Sequence, residues 1–258
     1  MKKLLIKILP LIVLIATISS CKKETTYTAQ PSGVTPQQTF LKINFVSTYA
    51  ANPSVQLEVN KTRVSGLITA RTPFPGGGYN TGGGNYPDYL AIDPGSVQVT
   101  AAIPKKGTNV DSVVLANTTV TLAADKHYTL HITDTAANTK YLLLEDNVTI
   151  TPDDGTSLYR FVNLIPNTTA VDLYYGSTLV VSGIQYLTAS NYFVMPITGT
   201  AQTWTIRETG TPATGPALAI YNSANTILNK RVYTVFGLGY KGATDATRKP
   251  YVSFFLNK

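Results

Sequence analysis

One cysteine, two histidines and one tryptophan occur in 258 residues. A single thiol excludes an internal disulfide and a cysteine-built metal site. His127 and His131 are four apart. On a strand they share a face but stand roughly 13 Å apart at about 3.3 Å per residue, too far to hold one metal. They lie opposite Tyr128, Leu130 and Ile132, a position that predicts exposure to solvent. Acids number only 14, and no apolar pocket is visible around any of them to tune a catalytic carboxyl. There is no Gly-x-Ser-x-Gly, no His-Glu-x-x-His and no histidine near a nucleophile, so no catalytic set is assembled. Glycines cluster at 76–78 and 82–84, yet no Gly-Lys-Ser/Thr follows, which excludes a phosphate cradle. Basic residues are scattered apart from Lys22-Lys23 and Lys105-Lys106, a pattern that excludes a nucleic-acid stripe. Past the N-terminus no run is long and apolar enough to cross a bilayer as a helix.

What is present begins at that terminus. Lys2, Lys3 and Lys7 precede an apolar run from Ile8 to Ile18, the order of a secretory signal. Ile18-Ser19-Ser20-Cys21 resembles the lipobox of bacterial lipoproteins. The resemblance implies a signal peptide over 1–20, a diacylglyceryl group on Cys21, cleavage before it and acylation of the new amine. Several acyl chains anchor firmly at about 0.8 kcal/mol per buried methylene. Three of the 21 Lys and Arg leave with the signal, so 18 face 14 acids in the processed chain. Lys22-Lys23-Glu24 resembles the start of many lipoproteins of Bacteroidota-type bacteria. That places the protein at the outer membrane, on the periplasmic side or, preferably, the cell surface.

Residues 21–39 read as the lipidated cysteine and a flexible tether, since Thr, Gln, Pro, Ser and Gly cannot build a core. Such a tether spans roughly 20–25 Å by chain scaling. From Phe40 onward Val, Ile, Thr, Tyr and Phe alternate with turn residues every eight to twelve positions, which predicts antiparallel strands throughout. The body also repeats. Phe45-Val46 matches Phe161-Val162, Val55-x-Leu57 matches Val171-x-Leu173, and Val64 matches Val180, all 116 apart. Tyr89 matches Tyr192 at 103, and Tyr128-Thr129 matches Tyr233-Thr234 at 105. The jump locates an insertion of about thirteen residues within 71–87 of the first copy. Two tandem β-sandwiches follow, 40–150 and 156–258, joined near Asp153-Asp154-Gly155.

Arg160-Phe161-Val162-Asn163, Val171-Asp172-Leu173-Tyr174-Tyr175-Gly176, Tyr192 and Tyr233-Thr234-Val235-Phe236-Gly237 resemble the domain of unknown function 4397. The resemblance covers most of 158–240 and is faint in the first copy. It implies an immunoglobulin-like β-sandwich in each half and, the family having no established activity, no mechanism.

Within this frame Tyr128 and Tyr233 open strands after polar turns and are expected to act structurally as tyrosine corners. Trp204 alternates with Ile206, which reads as core. Glu145-Asp146 and Asp153-Asp154 bracket the joint. They could gather calcium, but their spacing is not that of a calcium loop, and turns favour Asp in any case. Asp111-Ser112-Val113 and Asp134-Thr135-Ala136 resemble short O-glycan acceptor sites. The Gly-rich insertion is either a floppy loop or an exposed binding loop with Phe74, Tyr79 and Tyr86 as aromatic anchors. The expected function is that of a lipid-anchored envelope protein, not an enzyme, with a binding or structural (adhesion or spacer) role. No cofactor or metal is expected. The alternative is glycan capture for nutrient uptake, with a carboxylate-dependent hydrolase as the less favoured competing class; the expected partners are the membrane and a glycan or another envelope protein.

Overall fold

The structure, a computed structural model, describes residues 37–108, 110–197 and 199–258. Cys21, the signal and most of the tether lie outside them. The described residues form one compact unit, and apart from two short 3-10 segments their regular structure is all strand. The first half contains β1 (Thr39–Phe45), β2 (Gln56–Val59), β3 (Thr62–Arg63), β4 (Thr72–Phe74), β5 (Leu90–Ile92), β6 (Gly95–Pro104), β7 (Asp111–Leu122), β8 (His127–Thr133) and β9 (Lys140–Asp146). The second contains β10 (Thr156–Asn163), β11 (Ala170–Tyr175), β12 (Thr178–Gln185), β13 (Thr188–Ala189), β14 (Phe193–Pro196), β15 (Trp204–Glu208), β16 (Ala219–Tyr221), β17 (Val232–Leu238) and β18 (Tyr251–Leu256). Among the described residues no helix is long and apolar enough to cross a membrane.

The halves share one topology. Sheet order β4-β1-β8-β9, with β5 also on β1, is repeated as β13-β10-β17-β18 with β14 on β10; β3-β2-β6-β7 is repeated as β12-β11-β15-β16. Each half closes a sandwich around its own core. Leu41, Ile43, Phe45, Leu57, Val97 and Val99 lie in the first, and Tyr159, Phe161, Leu173, Trp204, Ile206 and Phe254 in the second. Turn chemistry is local: Asn60 and Lys61, at φ 49 and 64, make the two-residue turn between β2 and β3, the geometry that matches the strands' own twist. The insertion falls between β4 and β5, where residues 75–89 stand against only 190–192 in the second half.

Strand pairing refines the repeat. Leu41 pairs with Tyr128, and Tyr159 with Tyr233, so the first strands correspond at a spacing of 118, not 116. A shift of two leaves every side chain on its own face, because a strand's period is two, and the sequence match is insensitive to it.

The sheets containing β1 and β10 pack on each other, so both are covered on two sides. A third apolar cluster, with Val46, Val162, Leu164, Phe236 and Phe255, fills part of that contact. The rest is polar. Lys42, Asn44, Thr129 and His131 are each 0% exposed, which corrects the expectation for His131: its strand has no solvent face. Its Nδ1 lies 3.0 Å from Asn44 Nδ2 and its ring lies near Phe236 and Phe255. Burial, with Arg160 nearby, pushes the imidazole down to about 3. His127 is half-buried, stacked on Phe40 at 4.4 Å.

This polar seam obeys the repeat. Arg160 pairs with Asp146 and donates to Glu145 O at 2.8 Å, with its guanidinium over the Tyr192 ring at 5.1 Å. Lys42, its counterpart 118 residues earlier, donates to Leu256 O at 3.3 Å and lies 4.6 Å over the Tyr89 ring. Glu145 and Leu256 are themselves equivalent, opposite Tyr128 and Tyr233. Thr129 donates to Asp146 Oδ2 at 2.5 Å and Thr234 to Asn257 Oδ1 at 2.8 Å. Residue i of one half meets residue j of the other and the reverse, as in an isologous dimer interface. The correspondence breaks in two places: Asn44 and His131 are matched by the apolar pair Val162 and Phe236, and Asp146 is matched by Asn257. Lys42 thus lacks the adjacent carboxylate that Arg160 has, and burial pushes its ammonium down to about 8 against the pull of Asp146 and Asp88.

Candidate functional site

β1 runs parallel to β8, and β10 to β17. Thr133 Oγ1 donates to Leu164 O at 2.9 Å, which brings the C-terminal ends of β8 and β10 together. The chain enters at the other end, at Thr39. Three of the cavities lie at the end far from that entry. One of about 310 Å³ is lined by Asn52, Thr69, Arg71, Thr72, Thr81 and Thr247. A second of about 310 Å³ adjoins it along segments 48–52 and 246–248, lined by Tyr49, Asp134, Thr135, Asn138, Tyr240 and Arg248. The third, about 590 Å³, is an open groove beside Leu67, Ile103, Lys105 and Lys106. The first two are crevices with walls from both halves.

Their walls are held stiffly. Asp134 Oδ1 accepts from the Tyr240 phenol at 2.6 Å and from Thr135 N at 2.8 Å. Burial and that carboxylate push Tyr240 up to about 12. Tyr49 accepts from Ala136 N at 2.9 Å. Asn52, Arg71, Asp134 and Ala136 all adopt positive φ (42, 70, 61 and 54); Asn and Asp take this conformation readily, whereas at Arg71 and Ala136 it persists where surrounding contacts enforce it. At Arg71 the contacts are visible: its N–H donates to Phe45 O at 3.0 Å, and its carbonyl accepts from Gly82 N at 3.0 Å. Its guanidinium stacks 3.8 Å over the Tyr251 ring.

The Gly-rich insertion forms one wall and crosses to the second half. Tyr79 N donates to Phe254 O at 2.9 Å and Phe254 N to Tyr79 O at 3.0 Å, adding a bridge to the free edge of β18. Asn80 Nδ2 donates to Val252 O at 2.9 Å, and Ser253 Oγ to Asn80 O at 2.9 Å. A Cβ on Gly78 would stand 1.8 Å from Phe254 O, so this approach needs a residue without one.

Of the three aromatic residues in and beside that insertion, Phe74 is half-buried against the first core. Tyr79 packs on the second, 6.3 Å from Tyr233, and Tyr86 is 61% exposed. Tyr128 OH accepts from Ala123 N at 3.4 Å; Tyr233 is buried and donates to Asn225 O at 3.0 Å. Trp204 is buried and donates to Thr226 Oγ1 at 3.0 Å. Around the joint, Glu145 pairs with Lys126 and Asp154 with Lys230. Among the described residues no group of three or more His, Cys, Asp or Glu gathers as metal ligands do. Arg71, Asn52 and Thr81 carry no sequence signature, because their convergence depends on loop geometry and on Tyr251, 180 positions from Arg71.

A family model described as "Domain of unknown function (DUF4397)" matches residues 41–174 and 157–251. No curated protein matches the chain. Among solved structures it is similar to one titled "Alpha-glucan binding by a streptococcal virulence factor", at 9% identity over 83% of this chain and 96% of that one, with a TM-score of 0.25. A second, "Alpha-glucan recognition by family 41 carbohydrate-binding modules from streptococcal virulence factors", is 14% identical over 83% and 95%, with a TM-score of 0.22. Likenesses that low carry no argument about this chain.

Proposed function

The chain belongs to the family described as domain of unknown function DUF4397, a description without an activity, and on its geometry we propose that it is a non-catalytic binding protein held at the outer membrane through an acylated Cys21. The observation that carries the reading is the placement of two polar crevices at the end of a stiff body opposite the entry of the tether. A body anchored at one end and grooved at the other is arranged to hold something away from the bilayer. The anchor itself rests on Ile18-Ser19-Ser20-Cys21. The non-catalytic reading is supported by Asp134, the acid that lines a crevice, whose carboxylate is taken up by the Tyr240 phenol and Thr135 N, and by the pairing of Asp146, Glu145, Asp154, Glu208 and Asp245 with cations. Glycan capture is the second reading, favoured by hydroxyl and tyrosine side chains around the crevices.

Labelling cells with an alkynyl fatty acid tests the anchor. Label should appear on the processed chain and vanish in Cys21→Ala, and protease on intact cells should shed the body while the label stays in the membrane. A glycan array and an envelope-extract pull-down with the lipidated chain in detergent test binding. Turnover of any captured ligand would overturn the non-catalytic reading, and a protein that captures nothing in either screen would overturn binding.

A further inference from the structure

Arg71 is held in place by its surroundings, and among the described residues nothing takes up its charge. Its backbone is fixed at φ 70 by hydrogen bonds on both sides, and its guanidinium plane is set by Tyr251. No acceptor among the described residues takes its N–H groups, and no carboxylate pairs with it. An arginine fixed by stacking loses little freedom when its fork meets a planar oxyanion, which it binds through two parallel hydrogen bonds. The other groups around the 310 Å³ crevice are short and neutral: Asn52, Thr72, Thr81 and Thr247. Thr81 Oγ1 is buried without a hydrogen-bond partner, although buried hydroxyls are ordinarily paired. One fixed cation among hydroxyl and amide groups matches a ligand that carries one carboxylate on a hydroxylated ring.

Resting on the binding reading above, we infer that this crevice is a site for an acidic sugar, with the uronate carboxylate on the Arg71 fork and ring hydroxyls on the threonine and asparagine side chains. A neutral glycan would leave the guanidinium unsatisfied. A phosphate or acidic peptide would satisfy it but brings no ring hydroxyls to Asn52, Thr72, Thr81 and Thr247.

The test uses the full lipidated chain in detergent micelles, titrated calorimetrically with oligogalacturonate and with the same oligomer after reduction of its carboxyls. The acidic oligomer should bind, and its reduced form about tenfold or more weakly, as expected when a charge-assisted bidentate contact is lost. Arg71→Ala should erase that difference, Arg71→Lys should keep part of it, and Thr81→Val should weaken both ligands. Trp204 emission on heating checks that each variant folds. If Arg71→Ala does not fold, Arg71→Lys decides, because it keeps the charge and removes the fork: unchanged oligogalacturonate affinity overturns the assignment. Equal binding of both oligomers, or binding of neither, also overturns it. Those results leave the broader binding reading standing, since that falls only if the array and pull-down capture nothing.

Discussion

Gly78→Ala tests whether the insertion is a clasp between the halves or a loop resting on them. Gly78 is not in the left-handed region, so the substitution acts by sterics alone. Its Cβ must move from 1.8 Å to at least 3.4 Å from Phe254 O. That displacement breaks both Tyr79–Phe254 backbone bonds and pulls away the two between Asn80 and Val252–Ser253. Four hydrogen bonds at about 0.5–1.5 kcal/mol net each give roughly 2–6 kcal/mol. Partial exposure of the Tyr79 ring adds about 1 kcal/mol. Against a total stability of about 5–15 kcal/mol this is a large fraction, and at about 2–4 °C per kcal/mol it lowers the melting temperature by roughly 10–20 °C. Thermal unfolding followed by Trp204 emission measures it, and amide exchange at Tyr79 and Phe254 localises it. Gly66→Ala is the control, with nothing within 4 Å of its added Cβ and an expected change within about 0.5 kcal/mol. A Gly78→Ala protein that melts with the wild type and protects both amides would refute the clasp.

The seam and cores yield further expectations. Lys42, held at about 8 when folded against about 10.4 unfolded, is protonated in the unfolded chain through a window where the native state releases its proton, so stability rises with pH between those values and is lowest below about 8. Asn257→Asp gives Lys42 the carboxylate that Arg160 already has and should flatten that rise; an unaltered slope in urea titrations from pH 8 to 10 would show that Lys42 is not its source. His131, neutral to about 3 against about 6.5 unfolded, contributes stability above pH 6.5 that is lost as pH falls toward 3; its ring resonances should stay unshifted from pH 7 to 4.5, and a midpoint near 6 would contradict its burial. Leu57→Ala, in the first core, should cost about 2–5 kcal/mol and, with the halves packed through a shared buried seam, shift the transition seen by Trp204 in the second; a Trp204 transition unmoved by it would show them to be independent.

The all-β class was legible because its signal is local: period-two alternation between turn clusters needs no long-range information. A break in repeat spacing survives even when the strand register is off by two, and the longer connection, residues 75–89 against 190–192, falls in the same stretch. The packing of one sandwich on the other was not. Lys42, Asn44, Thr129 and His131 alternate with apolar neighbours in the pattern a solvent-facing edge would show, and sequence does not distinguish water from a polar partner 100 residues away. One signal pointed the other way. Phe254 and Phe255 are adjacent, and Val232 to Leu238 carries apolar residues on both faces, the mark of a sheet covered on two sides. Glycine runs also have two physical meanings, freedom and close approach. At Gly78 only the position of Phe254 selects between them, and the same holds for Arg71 and Tyr251.

The repeat fixes where the two halves touch, and its departures show how the contact is held. At one side of the interface β9 is tied to the second half by the Arg160–Asp146 pair, the Glu145 carbonyl and Tyr192, which accepts from Asn147 N at 3.1 Å. At the equivalent side β18 has Lys42 and Tyr89 in the same places, but Asn257 replaces the acid, and the ion pair is lost. That weaker side is where the insertion lands, on Val252 to Phe254, capping an edge strand that would otherwise present unpaired backbone groups. The second half has only 190–192 at the corresponding turn and lacks such an arm. An ion pair therefore secures one side and a glycine arm the other. Because the arm also walls the Arg71 crevice, occupation of that crevice and closure of the weaker side involve the same segment. A ligand seated between Arg71 and Thr81 should therefore slow amide exchange at Phe254, and one bound elsewhere on the body should not.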